Sequence, residues 1–192
     1  MRITRALVAF AAICTAAAAL TLLAANDPVV GMTKPKFEDD KLLRPEGWQT
    51  WTHLGAAVGL SYSESSSEGG PGSFGSVYLQ PEAYAQYVNT GAFPEGAMFA
   101  LEIRKSHPAG SIAKDGYTGG DFIALELSVK DSKRFEGGWA YFDYGGRDGF
   151  KDSAEPFPQE RCFQCHAENA GDDNVFVQYY SRLREAREAA KP

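Results

Sequence analysis

A five-residue motif near the C-terminus constrains this 192-residue chain more than any other feature: Cys162-Phe163-Gln164-Cys165-His166. On a helical turn, positions i, i+3 and i+4 fall on one face, so both thiols and the imidazole point the same way. This spacing is the attachment signature of c-type haem, in which the thiols add to the haem vinyl groups and the imidazole reaches the iron. The motif therefore predicts one covalently attached haem c, anchored by Cys162 and Cys165, with His166 as the iron ligand.

Residues 1–25 have the pattern of an export signal. Arg2 and Arg5 form a short basic region, and a long apolar run follows them. Polar sequence begins after Ala25, which predicts a signal peptide cleaved at that residue and a single mature domain over residues 26–192. The apolar run is also near the lower length limit for a membrane span, so an uncleaved anchor is the alternative. We expect the mature protein in a bacterial periplasm.

A disulfide and a zinc site are the other interpretations of the cysteine pair. A structural zinc site needs four protein ligands, and cleavage of the signal peptide removes Cys14, the one remaining cysteine. A redox-active Cys-x-x-Cys pair is expected near an early strand-to-helix turn of an α/β pattern, which this chain lacks. Covalent haem is therefore favoured.

Composition and charge limit the class of molecule. The chain has 44% hydrophobic and 23% charged residues, which excludes a disordered or fibrous protein and suits one domain with a hydrophobic core. Its formal net charge is −6, and loss of Arg2 and Arg5 with the signal peptide takes it to −8. Nucleic-acid binding usually needs a basic patch, so no nucleic-acid partner is expected.

The late position of the motif narrows the kind of haem protein. No Met or His follows His166, whereas an electron-transfer cytochrome c usually supplies a Met ligand after an early motif. Met32 and Met98 lie upstream, and both stay open as ligands. Met98 stands in an apolar strand typical of core packing, and His53 is expected to be structural or partly exposed. An open iron position is the default, which favours ligand binding or catalysis. Electron transfer, with Met98 or His53 as sixth ligand, is a third hypothesis.

Hydrophobic alternation and helix-start signals predict an α+β domain with an antiparallel β-sheet of four to five strands, peripheral helices and a C-terminal haem-attachment helix. The predicted strands are Trp48–Leu60, Ser76–Gln80, Ala97–Ile103, Asp121–Val129 and Trp139–Tyr144. The predicted helices are Pro81–Asn89, Glu160–Asn169 and Val175–Ala190. The segments expected to be loops are Ser61–Gly75, Arg104–Gly120 and Gly145–Gln159.

Several segments, in order along the chain, resemble the cytochrome P-460 family. They are Trp51 with Gly55, Val77–Tyr84, Thr90–Ala97, Ser128–Phe135, Gly138–Ala140 and the Cys162–His166 motif with Glu168–Ala170 after it. The resemblance covers nearly the whole chain after residue 25. It implies a haem protein, a homodimer and one of two activities.

One position separates the two branches of that family. Members that oxidise hydroxylamine carry a lysine cross-linked to the haem macrocycle, whereas the cytochromes c′-beta lack this link and bind nitric oxide at a five-coordinate haem. The lysine belongs five residues after the glycine of the Phe-Pro-x-Gly turn, and Gly96 plus five is Leu101. Leucine has no nitrogen, so the resemblance implies the c′-beta branch. Lys105 is the nearby substitute, roughly 13 Å further along an extended strand.

The same strand predicts the surroundings of the haem. If Leu101 faces the haem, Phe99 and Ile103 share its face by the period of two. Phe74 and Phe157 are further candidates, in loops expected to approach the haem. Such an apolar pocket offers no donor to a polar ligand but admits a small, weakly polar gas. The alternative role of each aromatic residue is ordinary core packing.

These observations lead to one expected function and one enzymatic alternative. We expect a haem protein that binds nitric oxide, with carbon monoxide as a further ligand, for scavenging, carriage or sensing. The alternative is hydroxylamine oxidation to nitrous oxide or nitrite, with Glu155 or Glu160 as a proton acceptor. A periplasmic cytochrome is the expected redox partner.

Overall fold

A computed structural model describes residues 31–60, 71–110 and 114–189. The strands within these ranges are β1 (Phe37–Glu38), β2 (Lys41–Leu43), β3 (Thr52–Val58), β4 (Ser73–Leu79), β5 (Met98–Pro108), β6 (Tyr117–Lys130), β7 (Trp139–Gly146), β8 (Gly149–Phe150) and β9 (Ser153–Ala154). Strands β3 to β8 form one six-stranded antiparallel sheet in chain order, here called the main sheet. Strands β1, β2 and β9 form a small second sheet that contacts β7 through β9.

The helices lie at the ends and on one face of the main sheet. They are α1 (Pro81–Thr90), α2 (Phe163–Asn169) and α3 (Ser181–Ala189), with 3₁₀ turns at Trp48–Thr50 and Val177–Tyr179. Helix α1 begins at a proline, whose missing N–H is not needed in a first turn, and is followed by Gly91 at a φ of 71°. Helix α3 packs against α1 and against the edge strand β3.

The predicted α+β class is confirmed, but the main sheet has six strands instead of four to five. Strands β5 and β6 run on through most of the segment Arg104–Gly120 that was expected to be a loop. The Arg104 guanidinium lies 3.6 Å from the Phe122 ring centroid, and its stem passes over Gly119, where a Cβ would lie 3.0 Å from it. Cross-strand packing thus extends a hairpin whose glycines favour a loop.

Smaller differences lie at the ends of elements. The strand predicted from Trp48 begins at Thr52, because the chain first makes a 3₁₀ turn after Gly47, which has a φ of 68°. The predicted helix Val175–Ala190 divides into a 3₁₀ turn and α3. The predicted loop Gly145–Gln159 contains the short strands β8 and β9.

The main sheet separates two hydrophobic cores. One face, called here the α2 face, carries the core that the motif helix joins; its large buried members include Leu79, Tyr87, Phe93, Phe99 and Trp139. The opposite face packs against the small sheet; its large buried members include Leu42, Trp48, Met98, Leu127 and Phe142. Since side chains alternate along a strand, the register decides which residues meet α2.

Four predicted segments fall wholly or partly outside the described residues: the signal peptide at 1–25, positions 61–70 of the Ser61–Gly75 loop, positions 111–113 of the Arg104–Gly120 loop, and Ala190 of the last predicted helix. At these positions the assignments stay predictions, as does the boundary of the mature domain. None of the helices in the described ranges has the length and apolar character needed to cross a membrane.

Candidate functional site

The Cys-x-x-Cys-His motif forms the first turn of α2. The Cys162 carbonyl accepts the His166 amide N–H at 3.1 Å, which closes the turn and places the two thiols and the imidazole along one side. Cys162 is half-buried, Cys165 is exposed, and their sulfur atoms are not bonded to each other. The helix begins at Phe163, three residues later than expected from the sequence.

A glycine in the β6–β7 turn fixes the start of this helix. Phe163, which lies between the two cysteines, packs its ring directly on Gly137. A Cβ at Gly137 would lie 2.1 Å from that ring, and the residue has a φ of 77°, a conformation that favours glycine. The β6–β7 turn therefore sets the position of the motif against the sheet.

One backbone carbonyl defines the state of the His166 ring. The Nδ1 atom lies 2.7 Å from the carbonyl oxygen of Asn174. A carbonyl only accepts, so Nδ1 carries the proton and Nε2 keeps its lone pair. Burial lowers the pKa of His166, an effect that the Asn174 hydrogen bond partly offsets. The ring is thus neutral at neutral pH, with Nε2 free to bind a metal.

Aromatic rings enclose His166 on two sides. The Tyr141 ring centroid is 4.4 Å from the imidazole, and the Phe176 centroid is 4.6 Å from it. The Tyr141 hydroxyl donates to the Asn174 carbonyl at 3.4 Å, so it reaches the same acceptor as His166. Burial is the main cause that raises the pKa of Tyr141, which keeps this hydroxyl protonated as a donor.

Two rows of side chains cross the α2 face beside this ring. In the first row, Phe99, Ser128 and Tyr141 are register partners on β5, β6 and β7. In the second row, Leu101 pairs with Glu126, which in turn pairs with Asp143. Neighbouring strands are about 5 Å apart and successive rows about 7 Å apart. Leu101 and Phe99 therefore share the face that α2 covers, as the period of two predicts.

Glu126 is a site residue that the sequence analysis missed. Burial raises the pKa of its carboxyl, the neighbouring Asp143 raises it further, and Arg161 opposes both. Glu126 also contributes, after burial, to the raised pKa of the Cys162 thiol, so it acts on the motif itself. The expectation of a wholly apolar face is wrong in this row. Alternation in Ala124-Leu125-Glu126-Leu127-Ser128 carried the signal, because Ala124, Glu126 and Ser128 fall on one face.

A family model described as Cytochrome P460 matches residues 45–177, which is more than half of the chain. The chain belongs to the cytochrome P460 family. No curated protein matches the chain. The match ends just after the turn that holds the Asn174 carbonyl, so it includes both rows and the whole motif.

Membership of the cytochrome P460 family implies a haem cofactor, and the residues at α2 fit one. A neutral imidazole with a free Nε2 is the form that binds iron, and two unbonded thiols lie one helical turn apart beside it. No group of three or more His, Cys, Asp or Glu side chains in the described ranges is arranged to hold a metal ion by itself, so the fit to haem rests on His166 and the two thiols.

The predicted aromatic neighbours of the cytochrome P460 site divide into two groups. Phe99 is buried on the α2 face, and Phe157 packs against the same core, with its amide N–H donating to the Tyr141 carbonyl at 2.8 Å. Phe74 is the register partner of Arg104, whereas Leu101 pairs with Val77, three positions further along β4. Since side chains alternate along a strand, Phe74 does not share the face of Leu101. Its contact with haem is still a prediction, but the β4 register does not favour it.

Two candidates for the sixth ligand, Met98 and His53, lie on the opposite face, whereas Met32 is buried in the core of the α2 face. Met98 is 1% exposed in the opposite core, where its amide N–H donates to the Gln80 side-chain oxygen at 2.7 Å. His53 is exposed and lies 5.2 Å from the Tyr78 ring, its register partner. The sheet therefore separates both from His166, and the expected core role of Met98 is confirmed.

The remaining polar candidates are exposed. Lys105 shares the parity of Leu101 in the β4 register but lies in solvent, two residues beyond Ile103. The Glu155 side chain is 73% exposed and pairs with Lys41, and Glu160 is exposed as well. Among the carboxylates considered, Glu126 alone pairs with Leu101 on the α2 face.

Proposed function

We propose that this cytochrome P460 is a c-type haem protein that binds nitric oxide, with carbon monoxide as a further ligand. Cys162 and Cys165 would form the two thioether bonds, and His166 would bind iron through Nε2. When bound, haem iron supplies an open coordination position for a diatomic gas. The family match supports haem, and the thiol spacing supports covalent attachment.

Leu101 is the residue that favours nitric oxide binding over hydroxylamine oxidation. Resemblance places the cross-linking lysine of the enzymatic branch at this position, and leucine has no nitrogen with which to form such a bond. Leu101 packs against the core on the α2 face, so no other side chain replaces it there. Lys105 is exposed, which makes it a poor substitute.

The residues of the site would have different roles in gas binding. Asn174 holds the imidazole in the tautomer that binds iron, and Phe99 and Leu101 exclude water from the sheet side. The apolar side chains of Phe99 and Leu101 favour a weakly polar gas over water and charged ligands, with the Glu126 carboxyl beside them. The role would be scavenging, carriage or sensing in the periplasm, in a homodimer, with a periplasmic cytochrome as redox partner.

Glu126 supports a second candidate, hydroxylamine oxidation. Conversion of hydroxylamine to nitrous oxide or nitrite releases protons as well as electrons, so it needs a base and an electron acceptor. A carboxylate whose pKa is raised by burial is a better base near neutral pH than a solvated one. The electrons would pass to the cytochrome partner, and no cross-linked lysine would take part.

The visible spectrum of the purified protein, ferric and reduced, with and without nitric oxide, tests both candidates. A high-spin c-type spectrum that shifts with nitric oxide, without consumption of hydroxylamine, supports gas binding. A strongly red-shifted reduced band, or hydroxylamine turnover with a cytochrome acceptor, would replace it with the enzymatic function. A low-spin spectrum indifferent to nitric oxide would contradict both.

A further inference from the structure

We propose that Lys130, Asp173 and Trp139 are positioning residues for the iron ligand, because they fix the turn whose Asn174 carbonyl holds His166. These three residues are called here the clamp. The inference rests on the proposed role of His166 and adds a group of residues that acts on it from outside the motif.

The turn at residues 172–175 has a backbone that needs support. Asp173 has a φ of 42° and Asn174 a φ of 57°, two consecutive left-handed residues, neither of them glycine. Asp172 and Val175 close the turn with a 2.7 Å bond from the Val175 amide N–H to the Asp172 carbonyl. Asp and Asn adopt the left-handed conformation more readily than other residues with a Cβ, but two in succession still need surroundings that hold them in one direction.

The clamp supplies that support from the sheet. The Lys130 ammonium donates to one Asp173 carboxylate oxygen at 2.8 Å, and the Trp139 indole N–H donates to the other at 3.1 Å. Lys130 and Trp139 are register partners on β6 and β7, so the two donors have a fixed spacing. Both oxygens of the Asp173 side chain are thereby tied to the sheet.

The burial of Lys130 indicates a specific role. Its residue is 8% exposed, and its ammonium also donates to the Phe93 carbonyl at 2.9 Å. A buried ammonium is unfavourable unless it is paired and hydrogen-bonded, and an apolar side chain would fill the space at lower cost. What the lysine provides, and an apolar residue would not, is a charged partner for Asp173.

A second contact holds the other end of the turn. The Tyr87 hydroxyl from α1 donates to the Asp172 carboxylate at 3.1 Å. With Asp172 and Asp173 both fixed, the Asn174 carbonyl keeps its direction towards His166 Nδ1. A hydrogen bond of this kind sets the orientation of a ligating imidazole and raises its basicity. The clamp therefore tunes the strength of the bond between His166 and iron.

The test compares wild-type haem protein with Asp173→Asn and Asp173→Ala. The readouts are the iron–histidine stretching frequency of the reduced protein, by resonance Raman, and the reduction potential. A looser Asn174 hydrogen bond makes the imidazole a weaker donor, so the frequency should fall and the potential should rise, more for Ala than for Asn. Amide exchange at Val175 should be about tenfold faster in Asp173→Ala.

A matched control separates positioning from a general loss of stability. Glu102 and Arg104 form an ion pair on the opposite face, with side-chain exposures of 12% and 32%, against 10% and 32% for Lys130 and Asp173. Glu102→Gln should therefore leave the iron–histidine frequency and the potential unchanged. If Asp173→Ala does not fold, Asp173→Asn keeps the side-chain volume while it weakens the bond to the Lys130 ammonium, and it should shift both readouts in the same direction.

Failure of this inference is distinct from failure of the proposed function. An iron–histidine band in the wild type that does not move in any clamp variant would overturn the clamp and leave His166 as the ligand. An equal shift in Glu102→Gln would also overturn it. An iron–histidine band that persists in His166→Ala would contradict the ligand assignment itself.

Discussion

The turn that holds His166 and the row that contains Leu101 differ in how their polar groups are satisfied. In the turn at residues 172–175, both carboxylate oxygens of Asp173 have donors, and the Asn174 carbonyl accepts from His166. In the row, two carboxylates are register neighbours, and burial and like charge raise the pKa of Glu126. One region is built to hold a single geometry. The other contains a carboxyl whose charge is disfavoured by burial and by its neighbour Asp143.

The largest expected effect comes from changes in the Cys-x-x-Cys-His motif, which lies between the two regions in the sequence. Cys162→Ser combined with Cys165→Ser should abolish covalent attachment, because no thiol is left in the described residues to add to a vinyl group. The measurement is haem staining after denaturing electrophoresis. Cys165→Ser alone is the matched variant and should keep a single bond. Haem that stays bound in the double variant would contradict the assignment of these anchors.

A lysine at position 101, in the row that contains Leu101, Glu126 and Asp143, should change the cofactor. Leu101→Lys should install the cross-link and move the reduced band strongly to the red, if this side chain faces the macrocycle. Ile103→Lys is the control, since Ile103 has the same parity two residues further along β5. An unaltered spectrum in Leu101→Lys would show that the alignment of this strand is wrong or that other groups are required.

A methyl group at Gly137, in the β6–β7 turn, should destabilise the packing of that turn against α2. In Gly137→Ala the new Cβ would lie 2.1 Å from the Phe163 ring at a φ of 77°, so we expect a loss of about 3 kcal/mol in the free energy of unfolding. Gly149→Ala provides the control, because Gly149 has a φ of 99° with nothing within 4 Å. Equal losses in guanidinium titrations would mean that backbone strain alone, and not contact with α2, explains the effect.

The smallest effect should come from the charge of Glu126, the register partner of Leu101. Because the pKa of Glu126 is raised on folding, mainly by burial, its native form binds the proton more tightly than the unfolded chain does. Stability should then fall as pH rises above the unfolded value near 4.3, until the native pKa is passed. Glu126→Gln should remove this loss and be more stable than wild type at neutral pH, by about 1.4 kcal/mol for each unit of pKa shift.

Guanidinium titrations of Glu126→Gln and wild type across pH 4 to 8 check this expectation, because this range begins near the unfolded glutamate pKa and extends to neutral pH. Glu160→Gln, at an exposed position after β9, is the control and should follow wild type. A wild-type stability that rises with pH over this range, with no difference from Glu126→Gln, would contradict the pKa direction.

Local patterns predicted the parts of the site that depend on spacing along the chain. The Cys-x-x-Cys-His turn needs five residues, and alternation along β5 gave Leu101 and Phe99 a common face, which the register confirms. The same alternation in β6 would have given Glu126. Its meaning depended on knowing that β6 neighbours β5, which requires the sheet order.

Other parts depend on contacts between distant segments and on backbone geometry. Asp172, Asp173 and Asn174 are typical of a turn, but nothing local indicates that Asp173 lies beside Lys130. The β5–β6 hairpin was interpreted as a loop because of its glycines, whereas Arg104 packing over Phe122 extends the strands. In both cases a side chain far along the chain decides the local conformation.

The separation of the clamp from the motif has a consequence for folding order. The turn of α2 closes within a few residues, but the Asn174 carbonyl is held by Lys130 and Trp139, which precede it by more than thirty residues. We expect long-range contacts of this kind to form after the turn of α2, because a longer loop costs more entropy to close. A newly made chain therefore presents both thiols while the acceptor for His166 Nδ1 is still unformed. An imidazole with a fixed tautomer and direction is a property of the finished sheet.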